Sequence, residues 1–246
     1  MKYDIIGDIH GCFDELLQLL KKLGYAVDKD IPIHPDNRSI AFVGDAMDRG
    51  PDSIKTINVM YRLQDARKLI YSPGNHCNKL YRYAKGNKVQ LQHGLETTVA
   101  ELDTLSNKER ERFLNRYIEF YESLPLYYTL DDGKLIIAHA GIRENLIGSS
   151  NTKKIRSFVL YGDITGETLP NGRPLRRDWA KSYNGDAFIV YGHTPVSDAR
   201  FIRRTVNIDT GCVFGGKLSA LRYPEKEIVS VTSQQPFVDD RFTTFV

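Results

Sequence analysis

The pentapeptide Gly7-Asp8-Ile9-His10-Gly11 sets a carboxylate and an imidazole two residues apart, directly after a short apolar run. The same pairing of apolar run and polar cluster returns along the chain. Asp45, with Asp48 and Arg49, follows 40–43; Asn75, His76 and Cys77 follow 69–71; His139 follows 135–137 and His193 follows 188–191. The chain has 6 histidines, and His10, His76, His139 and His193 all sit in these clusters. Oxygen and imidazole donors without thiolate dominance suit manganese, iron, nickel or zinc rather than a structural Cys-rich zinc site. Two ions need a shared carboxylate, and an Asp supplied alone from a strand end, as Asp45 is, has the geometry to bridge. Singly, each residue has a plainer reading, because Asp or Asn beside Gly commonly closes a turn or caps a helix. A thiol nucleophile is the rival chemistry, since Cys12, Cys77 and Cys212 each directly follow a motif. No phosphate-cradling loop surrounds any of them. Small buried packing is their expected role, with oxidation sensitivity as the second reading.

These clusters need elements to carry them. Continuous β-branched runs at 3–6, 40–43, 69–71, 135–137 and 188–191 predict strands buried on both faces. Leu16, Leu17, Leu19, Leu20 and Leu23 form a helical stripe that stops at Gly24. Pro51 suits a first helical position ahead of Ile54, Ile57, Met60 and Tyr61. Strands alternating with helices predict an α/β fold, in which ligands collect beyond the carboxyl ends of the strands. A third helix is expected at about 107–124, opened by a Ser106/Glu109 capping box. The stretch 78–130 interrupts the strand rhythm and reads as a cap or insertion within one domain spanning 1–246. Short strands near 206–209, 218–221 and 228–231 suggest a second, more antiparallel sheet.

The bulk properties exclude several classes. A chain of 246 residues, 41% hydrophobic and 26% charged, is ordinary for a globular protein. A net charge of +3 argues against dedicated nucleic-acid binding. No apolar run approaches the ~18 residues of a membrane span. An odd count of 3 cysteines suits a reducing compartment, and acidic residues near the start break any secretory signal, so a cytoplasmic location is expected.

Gly-Asp-Ile-His-Gly (7–11), Gly-Asp-Ala-Met-Asp-Arg-Gly (44–50) and Gly-Asn-His (74–76), followed by His139 and Gly192-His193, resemble the calcineurin-like metallophosphoesterases of the phosphoprotein-phosphatase type. Further stretches at 74–83, 93–98, 161–168 and 207–216 resemble the bacterial asymmetric bis(5′-nucleosyl)-tetraphosphatases. The resemblance implies a two-sheet β-sandwich flanked by helices in four layers, and two divalent ions: manganese or nickel, with iron, zinc or cobalt also accommodated. Carried over by residue, Asp8 and His10 hold one ion, Asp45 bridges, and Asn75, His139 and His193 complete the second. Arg49 grips phosphate oxygens, and His76, oriented by Asp48, protonates the leaving oxygen. Hydroxide formed between the ions attacks phosphorus in line, so that diadenosine tetraphosphate yields ATP and AMP. Most relatives carry an acid where Cys77 stands, which puts that contact in question.

The alternative implied substrate is a phosphoprotein, yet Pro73 stands where many protein phosphatases place an arginine. Two stretches favour a nucleotide by combining charge with π faces: Lys79, Arg82, Lys85 and Lys88 with Tyr81 and Tyr83, and Arg173, Arg176 and Arg177 leading into Trp179. Lys79, Tyr83, Arg177, Trp179 and Asp209 are the substrate-binding candidates. Asp163, His93 and Glu96 are weaker ones, and His34 reads as surface.

Overall fold

Successive side chains of a strand face opposite ways, so a strand covered on both faces must be apolar throughout. A computed structural model of the chain describes all residues except 29–30, 169–171, 173 and 244–246, and omits the side chains of 27 and 28. Arg173 thus lies outside the described residues. The first half runs β1 (Tyr3–Ile6), α1 (Phe13–Leu23), β2 (Ala26–Asp28), β3 (Ile31–Ile33), β4 (Ser39–Phe42) and α2 (Ser53–Asp65). Three helices follow, α3 (Asn75–Ala84), α4 (Leu95–Asp103) and α5 (Asn107–Ser123), then β5 (Tyr128–Leu130) and β6 (Leu135–Ile137). The remainder comprises α6 (Thr152–Tyr161), β7 (Ile164–Thr168), β8 (Pro174–Arg176) and β9 (Phe188–Tyr191). It closes with β10 (Arg200–Ile202), β11 (Thr205–Asn207), β12 (Lys217–Tyr223) and β13 (Glu227–Thr232).

Two main sheets face each other. One has the order β13-β12-β1-β4, with β1 parallel to β4 (Ile5 beside Ala41) and antiparallel to β12 (Ile5 beside Leu221). The other has the order β10-β11-β9-β6-β5, with β11, β9 and β6 parallel. Ile5, Ala41 and Val43 meet Ile137, Val190 and Val206 between the sheets. Their neighbours Ile6 and Phe42 point outward onto Leu16, Ile57, Leu80 and Tyr117 from the helices α1 to α5. Ile136 and Ile189 point outward on the opposite side, onto Ile155, Phe158 and Trp179. This makes helix, sheet, sheet, helix: the four-layer sandwich expected. Leu80, Leu95, Leu102 and Phe113, all from 78–130, share one apolar core with Leu16 and Phe42.

Helix α1 stops at Gly24, whose φ of 92° is a left-handed conformation that costs glycine little. The capping box opens α5 as expected, with the Ser106 N–H donating to Glu109 Oε2 at 3.0 Å. Three expectations need correction. Of 69–71, only Tyr71 pairs, as a bridge to Phe42, because Pro73-Gly74 turns the chain at once into α3. Pro51 precedes α2 rather than opening it; Asp52 is its N-cap. The C-terminal strands do not form one sheet of their own. β11 joins the second sheet beside β9, and β12 and β13 complete the first beside β1, after Gly211 and Gly215 turn the chain at positive φ. No helix among the described residues is long and apolar enough to cross a membrane.

Candidate dinuclear metal site

The ends of β1, β4, β6 and β9 open at one edge of the sandwich, and backbone hydrogen bonds tie their loops together. The N–H groups of Ile9 and His10 both donate to the Asp45 carbonyl, and the Gly192 N–H donates to the His139 carbonyl at 2.7 Å. His10, Asp45, Asp48, Arg49 and His193 all have positive φ, between 44° and 75°. Each such residue costs about 1 kcal/mol or more, and such costs concentrate where side chains are aimed for a task.

Asp45 belongs to two groups of closely spaced donors. With His10 and His76 it forms one in which the candidate atoms lie within 4.8 Å of each other; with His139 and His193 it forms the second. His139 Nδ1 faces the Val43 carbonyl at 3.1 Å, which fixes Nε2 as the atom aimed inward. That Nε2 is 3.3 Å from Asp45 Oδ2, 3.2 Å from Asn75 Oδ1 and 3.1 Å from His193 Nδ1. One nitrogen carries at most one proton, so it cannot hydrogen-bond to all three. Ligand atoms bound at about 2.1 Å and at right angles stand about 3 Å apart, so the spacing suits a cation. His193 Nε2 and Arg49 Nε are buried with no hydrogen-bond partner among the described residues. His10 Nδ1 is tied to the Met47 carbonyl at 2.8 Å, leaving its Nε2 as the donor. Asp8 is buried behind His193, accepting that residue's backbone N–H at 3.2 Å.

The charges agree. Burial and the Asp209 and Asp45 carboxylates push Asp8 well above the usual carboxylate range. Burial also opposes charge on Asp45, but His139 and His76 outweigh it and hold Asp45 well below that range. His10 is lowered to about 3 by burial and by His76, so it stays neutral and able to donate a lone pair. Burial works against a charged His139 as well, but Asp45 and Asp8 overcome it and raise its pKa to about 9 in the metal-free protein. There a proton occupies the place a cation would take. Metal binding must expel that proton below pH 9 and has none to expel above it. Calorimetry in buffers of different ionisation enthalpy should therefore show the number of protons released on metal binding falling by about one between pH 7.5 and 10.

Beside this pocket lies a hydrogen-bonded array of His76, Asp48 and Arg49. His76 Nδ1 is 2.7 Å from Asp48 Oδ2, and its Nε2 is 3.2 Å from Arg49 Nη2. Thr98, on α4, donates to Asp48 Oδ1 at 2.6 Å, and the Asp48 N–H donates to Ser53 Oγ at 3.0 Å. Thr98 ends the matching stretch 93–98, but nothing in the sequence tied it to Asp48, which lies far away along the chain. The Arg49 N–H donates to the Gly94 carbonyl, and a Cβ on Gly94 would stand 2.3 Å from Arg49 Cγ, so the close approach requires glycine. Cys77 fills the position whose contact was in question. Its thiol donates to Asp45 Oδ1 at 3.5 Å while accepting the Gly74 N–H at 3.2 Å. Burial, aided by Asp45, raises the thiol pKa, so Cys77 is a neutral donor beneath Asp45 rather than a nucleophile. Cys12 and Cys212 are likewise buried thiols.

A cavity of about 660 Å³ opens from the site, lined by His10, Asp45, Arg49, Asn75, His76 and His193 at its floor. Asp209 also lines it; its carboxyl is raised to about 6 by burial, although Oδ1 accepts the Gly211 N–H at 3.1 Å. Of the first basic–aromatic stretch, Lys79, Arg82 and Lys88 line the cavity, as does His93. Tyr83 does not: its hydroxyl accepts from Arg110 at 2.5 Å on the outer side. Tyr81 stacks on Tyr121, and Lys85 pairs with Glu122. Glu96 takes the Gly94 N–H at 2.8 Å at the start of α4.

The second stretch also divides. Arg176 lines the cavity, whereas Arg177 is outside it, 61% exposed and paired with Asp163 at 3.3 Å. Trp179 offers no face to a base. It is 7% exposed, packed against Phe158, Tyr183 and Tyr191, and seated where a Cβ on Gly141 would come within 1.9 Å of its ring. Trp179→Ala should therefore cost about 3–5 kcal/mol of stability, read as a lowered melting temperature, with KM for a nucleotide substrate changed less than twofold. His34 is buried, its Nε2 3.1 Å from the Leu23 carbonyl, and is not a surface residue. Phe214, within the matching stretch 207–216, and Arg241, outside every motif, also line the cavity. Phe214 has Arg49 and Arg241 stacked on its ring at 5.3 and 5.4 Å.

A family model described as calcineurin-like phosphoesterase matches residues 1–226. The asymmetrical bis(5′-nucleosyl)-tetraphosphatase PrpE of Anoxybacillus flavithermus is 59% identical over 245 residues, covering 100% of both chains. The protein of that name from Geobacillus thermodenitrificans is 60% identical with the same coverage. Among solved structures, a protein provisionally assigned as a diadenosine tetraphosphatase superposes with a TM-score of 0.66 at 24% identity, covering 94% of this chain and 93% of its own, a likeness of fold.

Proposed function

This chain belongs to the calcineurin-like phosphoesterase family, and on that premise we propose that it cleaves dinucleoside tetraphosphates off-centre, giving ATP and AMP from diadenosine tetraphosphate. The observation that carries the reading is the meeting of two ligand groups, sharing Asp45, with the Arg49–His76–Asp48 array at the floor of one cation-lined cavity. The names of the full-length relatives support the same substrate class.

Asp8, His10 and Asp45 would hold one divalent ion, and Asp45, Asn75, His139 and His193 the second. Manganese or nickel suits these nitrogen and oxygen donors. When bound, such ions lower the pKa of a shared water and neutralise charge gathering on phosphorus. The chain's own residues do the rest. Arg49 presents a planar fork that binds two phosphate oxygens, which a lysine could not match. Asp48, itself held by Thr98, fixes the His76 ring at Nδ1 and leaves Nε2 to protonate the departing oxygen. The neutral Cys77 thiol steadies Asp45 without adding charge.

Product analysis by chromatography across a panel of manganese, nickel, cobalt, iron and zinc tests the reading. Equal amounts of ATP and AMP are expected, fastest with manganese or nickel. Two ADP per substrate, or faster turnover of phosphopeptides than of dinucleotides, would overturn it.

A further inference from the structure

We infer that the ATP half of the substrate lies along helix α3 as the leaving group, so that the oxygen of the attacking water ends in AMP. This rests on the dinucleotide reading above and adds a direction to it. Asp48 occupies His76 Nδ1, so only Nε2, beside Arg49, can meet the departing oxygen. The leaving group must therefore extend from the His76 side of the site. Helix α3 begins there. Lys79 and Arg82 follow His76 at successive three-residue steps, each about 4.5 Å along the axis, and both line the cavity. Lys88 extends the row beyond the helix. Lys85, in contrast, faces away and is paired with Glu122.

The row is available to an anion. Lys79 Nζ donates to the uncharged Gln92 carbonyl, and the nearby Glu96 carboxylate is engaged by the Gly94 N–H. The rest of the lining beyond the site floor carries fewer cations: Arg176, whose Nε donates to the Tyr161 carbonyl, and Arg241, which is 3.7 Å from Asp240 and stacked on Phe214, with the Asp209 carboxyl beside the floor residues. The three cations Lys79, Arg82 and Lys88, following His76 along the chain, suit a triphosphate, and the less cationic remainder of the lining suits one phosphate with its nucleoside. The water oxygen then bonds to the phosphorus of the AMP half. The bond from that phosphorus to the bridging oxygen breaks, and its electron pair leaves with ATP, which takes a proton from His76.

Hydrolysis of diadenosine tetraphosphate in ¹⁸O-water by the metal-loaded wild-type protein, followed by mass spectrometry, reads the direction. The label should appear in AMP; label in the terminal phosphate of ATP overturns the inference. A binding measurement runs beside it. In the double variant Lys79→Ala/Arg82→Ala, the affinity for ATP should fall at least tenfold, with the affinity for AMP changed less than twofold. Equal losses for both nucleotides, or none, also overturn it. A wild-type protein that yields no ATP and AMP refutes the dinucleotide reading itself and this inference with it.

Discussion

Asparagine in place of Asp45 should lower phosphohydrolase activity by about ten-thousandfold and reduce the metal content from two ions per chain to one or none. Asp45 is the single residue common to both ligand groups. Its Oδ1 accepts the His76 N–H at 3.1 Å and its Oδ2 stands 3.3 Å from His139 Nε2, so both oxygens face the site. An amide keeps the volume but gives up the charge and one acceptor. Charge stabilisation by paired ions is worth several kcal/mol, and about 5–6 kcal/mol corresponds to four powers of ten in rate. Elemental analysis and steady-state kinetics check both parts. Two ions retained with more than about one percent of activity would show that Asp45 does not join the sites.

His76→Gln should reduce kcat about 10²- to 10⁴-fold while leaving the metal content at two. The two outcomes separate roles that proximity alone does not, because His76 also lies within reach of His10 and Asp45. Its ring is tied to Asp48 at 2.7 Å and its Nε2 lies 3.2 Å from Arg49 Nη2, which supports the proposed role in proton delivery over ligation. The loss should therefore depend on the leaving group. It should be large with phenyl phosphate, whose oxygen needs a proton, and small with 2,4-dinitrophenyl phosphate. Thr98→Val should reproduce part of that dependence through Asp48, and Thr98→Ser, which keeps the hydroxyl, should abolish it. A lost ion, or an equal loss on both esters, would assign His76 to the metal instead.

How much of this was legible beforehand depended on whether the determining contact is local. The strands at 3–6, 135–137 and 188–191 were legible because a strand covered on both faces must be apolar throughout, and β1, β6 and β9 are. The run at 69–71 satisfied the same pattern, yet only Tyr71 pairs, because the turn into α3 outweighs strand propensity. The basic–aromatic stretches misled for a different reason. Sequence interleaving of Lys79, Tyr81, Arg82, Tyr83 and Lys85 says nothing of direction, and 100° per helical residue sends Lys79 and Arg82 to the cavity and Tyr81 and Lys85 to α5. Trp179 likewise had a side chain fit for stacking on a base, but its ring fills the outer layer of the second sheet.

The amino-acid order by itself determined the kinds of ligand and the strand ends that carry them, because short motifs encode the turn and the donor together. It also determined the α/β class, through the alternation of strands with helical stripes, while the four layers were implied by the motifs' resemblance to the family. Asp45 was already the expected bridge; only the folded chain decided that Thr98 holds Asp48, that the Cys77 thiol reaches Asp45, and which cations line the cavity. Those facts depend on distances between residues far apart in the chain, and on left-handed backbone at His10, Asp45 and His193 that tertiary hydrogen bonds enforce against local preference.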